Sequence, residues 1–150
     1  MKKTDVPHYI RPIALGIFRK DDEILVFRGY DFHTNEDFYR LLGGGIEFGE
    51  TGSEALKREI KEEMEADIHN IEYLATIENI FSLNNQPGHE IVLVYHAEFS
   101  DQKIYQRKQF QIVEDDLEPY DACWKNLRDF ETGDAILYPE GILQIIRHVG

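Results

Sequence analysis

The sequence predicts an α/β protein in which a mixed β-sheet is flanked by helices. Two observations predict this class. Strand-like segments come first and also follow a single helical segment in the middle of the chain, and a second helical segment closes it. In addition, 150 residues with 42% hydrophobic side chains fit one compact domain, residues 1–150, with a buried core.

The first predicted elements are two strands joined by a turn. Residues 9–19 mix apolar and β-branched side chains, which favours a strand. Asp21 and Asp22 indicate a turn, so residues 23–30 are expected to form the antiparallel partner of the first strand. Residues 31–37 are polar and are expected to form a loop.

The next elements are a short strand and the central helix. Residues 38–42 favour a strand that leads into three glycines, Gly43 to Gly45. From Thr51 to about Met64 the apolar spacing becomes helical, and either Thr51 or Ser53 is a suitable N-cap.

The remaining elements are mostly strands. Residues 71–81 and 89–99 favour strands on either side of a turn at 84–88. Residues 109–127 are expected to hold either a strand pair or a loop and a strand. The tail, 139–149, begins with proline and has helical apolar spacing, so we expect a closing helix.

The charge balance limits the possible ligands. Acidic residues outnumber basic residues 29 to 16, and the net charge is −13. This argues against general nucleic-acid binding and against an anionic membrane surface, because phosphate groups attract Lys and Arg. It leaves open a small anionic ligand that a divalent metal bridges to carboxylates. The single cysteine, Cys123, excludes an intrachain disulfide and a zinc site made of cysteines alone.

The sequence contains no targeting or membrane signal. Its first ten residues lack the apolar run of a signal peptide. No segment approaches the roughly 18 consecutive apolar residues of a membrane helix. We therefore expect a cytoplasmic, soluble protein with no membrane partner.

The helix predicted over 51–64 carries an acidic face beside its apolar stripe. At roughly 100° per residue, three apolar residues form one stripe: Leu56, Ile60 and Met64. Three acids lie beside that stripe: Glu59, Glu62 and Glu63. Like charges at this spacing repel, and a hard cation such as Mg²⁺ or Mn²⁺ would reverse the sign of the interaction. The alternative is a solvated surface on which the acids pair with neighbouring basic residues.

The three glycines favour the first interpretation. Glycine lets the backbone approach a metal or phosphate closely and adopt a positive φ. The alternative is an ordinary turn between a strand and a helix.

The glycines and the acidic helix together resemble the Nudix box. The family pattern is G-x5-E-x7-R-E-U-x-E-E-x-G-U, where U is aliphatic. The residues that match it are Gly44, Glu50, Arg58, Glu59, Ile60, Glu62 and Glu63. Two positions depart from the pattern. Glu65 replaces the glycine that normally ends the helix in a left-handed turn, so the helix is expected to run one turn further before Asp67. Leu42 stands where many members carry proline.

The resemblance extends over nearly the whole chain and implies a function. It implies an α/β/α sandwich and metal-dependent hydrolysis of a nucleoside diphosphate linked to another group, with Mg²⁺ or Mn²⁺ as cofactor. It implies metal ligation by Glu59, Glu62, Glu63 and the Gly44 carbonyl. It also implies catalytic roles for Glu59, Glu63 and Arg58, in which Arg58 orients the glutamates. It is also compatible with a homodimer.

Further residues are candidates for substrate binding. Glu90 is a candidate further ligand or base, His89 a substrate contact and Glu78 a cleft residue. Each has an ordinary surface or structural role as its alternative. The strand cations Arg11, Arg28 and Arg40 are candidates to hold phosphate in an acidic chain. Such arginines also commonly form structural ion pairs.

Three functions remain to be compared. The first is a metal-dependent pyrophosphohydrolase of a small nucleotide-type substrate. The second is a non-catalytic nucleotide-sensing module on the same fold. The third is an acidic domain for protein interaction. An RNA-end hydrolase is a variant of the first, and the net charge of −13 lowers its weight.

Overall fold

The computed structural model describes residues 8–113 and 120–149. The predicted absence of a signal peptide rests partly on residues 1–7, which lie outside the described residues. The helices are α1 (Gly52–Met64), α2 (Leu127–Glu131) and α3 (Ile142–Val149), with a 3₁₀ helix at Gln102–Gln106. The strands are β1 (Arg11–Ile17), β2 (Arg19–Lys20), β3 (Glu23–Asp31), β4 (Glu36–Gly45), β5 (Ile68–Leu83), β6 (Gln86–Phe99), β7 (Gln109–Ile112), β8 (Tyr120–Asn126) and β9 (Leu137–Tyr138).

The described strands form one mixed sheet. Its order is β5-β6-β1-β4-β3-β8-β7, with β2 added to β3 and β9 added to β4. The β1/β6 and β4/β9 pairs are parallel, and the other pairs are antiparallel. The prediction that 23–30 pairs with 9–19 was largely wrong, because β4 lies between β1 and β3 and only β2 pairs with β3. The reason is burial: Ile13 to Ile17 are all buried, so β1 is covered on both faces and lies inside the sheet.

Helices cover both faces of the sheet, which confirms the predicted α/β/α sandwich. On one face Leu56 and Ile60 of α1 are fully buried against a core that includes Phe18 and Phe99. On the other face Phe130 of α2 and the buried residues of α3 pack against Val92 and Val94 of the central strands. The third residue of the predicted α1 stripe, Met64, is only partly buried.

The ends of α1 decide how the acidic face is presented. Thr51 is the N-cap: its Oγ1 accepts from the Glu54 amide at 3.2 Å and donates to the Glu54 carboxylate at 2.9 Å. The prediction that the helix runs on toward Asp67 was wrong. The helix ends at Met64, and Glu65 adopts the left-handed conformation (φ 55°), with its amide donating to the Lys61 carbonyl. The left-handed turn is therefore kept although the residue is not glycine.

The β5/β6 hairpin is longer than predicted. Its strands meet at a two-residue turn, Asn84 and Asn85, and both residues have positive φ (53° and 61°). Asparagine tolerates this conformation better than most residues, and the turn matches the twist of the flanking strands.

The C-terminal part largely follows the prediction, but the short elements α2 and β9 were not predicted. β7 and β8 form the strand pair expected within 109–127, although residues 114–119 of that segment lie outside the described residues. The closing helix is confirmed, but it begins at Ile142 rather than at Pro139.

Among the described residues no helix has the length and apolar character that a membrane crossing needs.

Candidate active site

Gly44 of β4 lies directly against the carboxylate of Glu59 on α1. A β-carbon built on Gly44 would lie 2.6 and 2.7 Å from the two carboxylate oxygens of Glu59. The preceding Gly43 has φ 144°, and a β-carbon there would strike the Ala14 carbonyl of β1. Leu42 is fully buried and pairs with Gly16. The strand can therefore approach both β1 and α1 closely only because two glycines follow Leu42.

Arg58 ties the glycine loop to the acidic helix. Its Nε and Nη2 donate to the two carboxylate oxygens of Glu50 at 2.8 and 3.0 Å, and Nη2 also donates to the Gly45 carbonyl at 2.8 Å. Its Nη1 donates to Glu59 at 2.9 Å and to Glu62 at 3.3 Å. A planar guanidinium with five N–H groups is suited to such a set of acceptors, and a lysine ammonium is not.

Arg58 and Glu50 shift each other's pKa. The hydrogen bonds from Arg58 hold the pKa of the Glu50 carboxyl below its ordinary value. The hydrogen bonds from Glu50 raise the pKa of Arg58 above its already high value, against the opposing effect of burial. Both groups therefore remain charged at neutral pH.

The three helix glutamates differ in exposure. Glu63 is buried with 3% of its surface exposed, the Glu59 side chain is 18% exposed, and the Glu62 side chain is 58% exposed. The backbone carbonyl of Glu63 accepts from the amide of Val113, which ties the end of α1 to the segment after β7. Glu63 thus faces the protein interior, and Glu62 faces solvent.

These residues offer the ligand chemistry of a hard divalent cation. Within 8–113 and 120–149, no three acidic, histidine or cysteine side chains are gathered closely enough to hold a metal ion, and Arg58 bridges Glu59 and Glu62 instead. Even so, the side chain that lies against Gly44 is the Glu59 carboxylate, and carboxylate oxygens are the ligand type that Mg²⁺ and Mn²⁺ prefer. Because Gly44 has no β-carbon, the Glu59 carboxylate can lie directly beside the Gly44 backbone. These carboxylates therefore suit such a cation in chemical type, although the described side chains are not gathered around one point.

A second charged cluster lies on the strands. The Glu90 carboxylate is buried, with 5% of the residue exposed, and accepts from Arg40 at 3.2 Å and from Asn79 at 3.2 Å. These residues lie on β6, β4 and β5, respectively. The structure therefore places Glu90 with Arg40, and the described contacts of its carboxylate are with the strands rather than with α1.

Arg40 lines two neighbouring cavities that share lining residues, and we call the pair the cleft. A cavity of about 340 Å³ is lined by acidic and aromatic side chains that include Glu78, Phe81 and Tyr138. A cavity of about 610 Å³ is lined by Arg11, His89 and Glu90 among others. Arg40, Ile80, Phe81 and Leu83 belong to both linings. The cleft therefore runs along the β5/β6 hairpin, with Arg40 between its two parts.

The structure separates the sequence candidates into groups. The box residues Gly44, Glu50, Arg58, Glu59 and Glu62 come together, and Glu63 lies on the buried side of the same helix. Five candidates outside the box line the cleft: Arg11, Arg40, Glu78, His89 and Glu90.

One candidate, Arg28, falls outside this scheme, and one residue of the cleft, Asn79, was not among the candidates. Arg28 lines neither cavity; it is exposed and paired with Asp37 at 2.8 Å, which is the structural alternative for such an arginine. Asn79 was missed by the sequence analysis. Asparagine is uncommon inside strands, and that was the only available signal.

The chain matches one family model. The family is described as "NUDIX domain", and the match covers residues 8–140. The matched region contains the glycine loop, α1 and all the cleft residues named above.

Two curated relatives illustrate the sequence similarity. The chain is 31% identical over 120 residues to a protein named NAD-capped RNA hydrolase NudC from Pseudomonas fluorescens (strain Pf0-1), covering 80% of this chain and 38% of that protein. It is 29% identical over 119 residues to the protein of the same name from Pseudomonas aeruginosa (strain LESB58), covering 79% and 37%. The chain thus spans well under half the length of these relatives.

Solved structures share the fold. A MutT NUDIX hydrolase from Burkholderia pseudomallei matches with a TM-score of 0.62 and 22% identity, covering 92% of this chain and 95% of that chain. A protein described as an ADP compounds hydrolase matches with a TM-score of 0.63 and 19% identity, covering 96% and 74%. At these identities the likeness is one of fold.

Proposed function

Because the chain belongs to the NUDIX domain family, we propose that it hydrolyses a pyrophosphate bond in a small nucleoside diphosphate derivative, with Mg²⁺ or Mn²⁺ as cofactor. One observation carries the proposal: the Gly44 backbone and the Glu59 carboxylate meet in a contact that any larger residue at 44 would block. Arg58 holds the same carboxylate at 2.9 Å. A structural acidic face would need neither feature.

The proposed ligand set is carried over from the resemblance to the Nudix box, and the contacts of Arg58 and Glu50 support the positioning roles. Glu59, Glu62 and Glu63 with the Gly44 carbonyl would hold the cation. When bound, the cation neutralises charge on the pyrophosphate and lowers the pKa of an attacking water. Arg58 orients Glu59 and Glu62 by charge-assisted hydrogen bonds. Glu50 fixes Arg58 from the other side. The general base is then Glu59 or Glu63.

The comparisons suggest which substrates to test. Relatives are named for hydrolysis of NAD-capped RNA, and solved structures of the same fold are described as hydrolases of ADP compounds and of UDP-X. The net charge of −13 opposes binding of an RNA body. We therefore favour the small molecules: dinucleotides such as NAD, and sugar derivatives of ADP or UDP.

The test is a substrate screen with product identification. The full chain would be assayed with Mg²⁺ and then Mn²⁺ against nucleotide sugars, NAD, dinucleoside polyphosphates, nucleoside triphosphates and NAD-capped RNA. Glu63→Gln is expected to reduce turnover by about 100-fold or more, because it removes a charged oxygen ligand. Turnover that needs the metal would support the proposal and identify the substrate class.

A matched control separates the site from the helix. Glu54→Gln makes the same chemical change on the exposed first turn of α1, where glutamine is also accepted in a capping box. It is expected to keep wild-type turnover. If no substrate turned over while nucleotides and metal still raised the melting temperature, the nucleotide-sensing function would replace the hydrolase. If neither ligand raised it, both would be wrong.

A further inference from the structure

We propose that Arg40 binds the diphosphate part of the substrate in the cleft, and that Glu90 is the positioning residue that holds the Arg40 guanidinium in place. This inference rests on the proposed function and deepens it, because it assigns the recognition of the diphosphate to a strand arginine away from the acidic helix. It also gives Glu90 a role different from that of a metal ligand or a base.

The first support is the burial of the pair. The Glu90 side chain is 6% exposed, and the Arg40 side chain is 22% exposed. A buried carboxylate is costly unless its charge is matched, and Arg40 supplies the match while Asn79 donates a further hydrogen bond to the same oxygen. Arg40 has five N–H groups, and the one contact to Glu90 leaves others that can reach the cavities it lines. Glu90 therefore anchors Arg40 and leaves a donor surface on the cleft side.

The second support is the distribution of charge along the cleft. Among the described residues that line the larger cavity, the basic and histidine side chains are Arg11, Arg40, His8 and His89, and the only carboxylate is the already paired Glu90. The smaller cavity instead carries the carboxylates of Asp31, Glu78 and Glu140. In a chain of net charge −13, a cavity with this excess of cationic groups favours an anionic ligand. The diphosphate therefore belongs in the larger cavity.

The third support is the connection between the larger cavity and the acidic helix. The Arg11 guanidinium lies beside Gly45, 3.6 Å from the position of a β-carbon built there. The carbonyl of the same Gly45 accepts from Arg58, which in turn holds Glu59. The cationic end of the cleft thus adjoins the loop that forms the proposed metal site, so a diphosphate there lies next to the proposed reacting centre.

The described contacts favour positioning over direct chemistry for Glu90. A metal ligand or general base needs a free oxygen directed at the reacting group. Here Glu90 Oε1 accepts from two strand side chains, Arg40 and Asn79, and only 5% of the residue is exposed where it lines the larger cavity. Substitution of Glu90 is therefore expected to act through Arg40.

The experiment is a double-mutant cycle read by binding. The affinities of the full chain for ADP and for inorganic pyrophosphate would be measured by calorimetry with Mg²⁺ present, and kcat and KM on the best substrate of the screen would be measured beside them. Arg40→Met is expected to weaken both affinities by about 10- to 100-fold. Glu90→Leu is expected to weaken them by about 5- to 30-fold and to raise KM, with kcat changed by less than about threefold. In the Arg40→Met background, Glu90→Leu is expected to have no further effect.

Two further variants guard against misfolding and nonspecific charge effects. Glu90→Leu leaves Arg40 without its buried partner and can unfold the chain, whereas Arg40→Lys keeps the charge pair and removes the planar fork. Arg40→Lys is expected to weaken pyrophosphate binding by about tenfold or more. Arg128→Met removes one positive charge from an exposed position on α2 and is expected to leave all affinities unchanged.

The outcomes separate this inference from the proposed function. Wild-type affinity for ADP and pyrophosphate in Arg40→Met or Arg40→Lys would overturn the inference even if the enzyme hydrolyses its substrate. A Glu90→Leu variant that loses kcat while keeping its ADP affinity would make Glu90 a ligand or base instead. If Glu90→Leu weakened the affinities by the same factor in the wild type and in the Arg40→Met variant, the positioning role would also be overturned. Absence of any turnover, with Arg40-dependent ADP binding retained, would overturn the hydrolase alone.

Discussion

Gly44 and Glu59 are fifteen positions apart in the sequence, yet the carboxylate of Glu59 lies against the α-carbon of Gly44. The contact joins the end of β4 to the middle of α1. It explains why a glycine precedes the acidic helix at this position: the space where a side chain would begin is already filled by carboxylate oxygens.

Gly44→Ala is expected to displace the Glu59 carboxylate. The added β-carbon would lie 2.6 and 2.7 Å from its oxygens, and the flexible end of a glutamate can move away more easily than the backbone. We therefore expect kcat/KM to fall by about 100-fold, since small displacements of catalytic groups have effects of this size. The melting temperature is expected to change little.

Gly45→Ala is the matched control for that substitution. Of the residues that the structure describes, a β-carbon at Gly45 would meet Arg11 alone, at an ordinary contact distance of 3.6 Å. Steady-state kinetics and thermal denaturation of both variants check the prediction. Equal activity of Gly44→Ala and wild type would show that Glu59 need not lie where the structure places it.

Arg58→Lys is expected to lower both stability and activity. A lysine cannot reproduce the double hydrogen bond to Glu50 together with the bonds to Gly45 and Glu59. The loss of charge-assisted hydrogen bonds at a side chain that is 24% exposed predicts about 1–3 kcal/mol less free energy of unfolding in urea. Arg128→Lys, at an exposed position, is expected to change it by less than about 0.5 kcal/mol. A similarly small change for Arg58→Lys would mean that the hydrogen bonds of the Arg58 guanidinium do not stabilise the fold.

The Arg58–Glu50 pair also predicts how stability depends on pH. Hydrogen bonds from Arg58 depress the pKa of Glu50 in the folded protein. A depressed folded pKa gives stability that is fully present above the unfolded pKa, which is about 4.3 for glutamate, and this stability is lost as the pH falls through the folded pKa. We expect Glu50→Gln to be less stable than wild type at neutral pH and to lose less stability on acidification.

Unfolding by urea at a series of pH values between neutral pH and about pH 3 would measure that difference in the free energy of unfolding. The range spans the unfolded pKa of glutamate. Glu72→Gln, which changes an exposed strand glutamate, is expected to follow the wild-type pH profile. A Glu50→Gln profile parallel to wild type would contradict the assigned cause of the shift.

Glu65→Gly is expected to stabilise the protein. Glu65 ends α1 in the left-handed conformation (φ 55°), where a side chain costs about 1 kcal/mol relative to glycine. Part of the gain is offset by the greater freedom of glycine in the unfolded chain, so we expect about 0.5–1 kcal/mol more free energy of unfolding.

Lys57→Gly is the control for that substitution and is expected to change the stability in the opposite direction. It lies at an exposed position inside α1, where glycine is expected to cost about 1 kcal/mol. Urea unfolding of both variants should therefore give changes of opposite sign. If both variants were destabilised, the helix end would not be strained at Glu65.

Local patterns predicted most elements of the fold and the acidic site. Apolar spacing predicted α1, because helix periodicity is set by backbone geometry within a few residues. The grouping of Gly44 and Arg58 with Glu59 was implied by the resemblance to the Nudix box, since Gly44 lies outside the helix. Local patterns did not predict the neighbours of β1, since strand pairing depends on which segments are buried together rather than on their order in the chain.

The sequence by itself determined which residue types face one another on a single helix, and so it determined the acidic face of α1 and the family of the chain. Only the tertiary structure decided which distant strand residues meet. Arg40 and Glu90 are separated by fifty positions and form an ion pair around a buried carboxylate, whereas Arg28 pairs with Asp37 at the surface. The physical reason is that a buried charge needs a partner supplied by the packing of the sheet, and no periodicity along the chain encodes that partner.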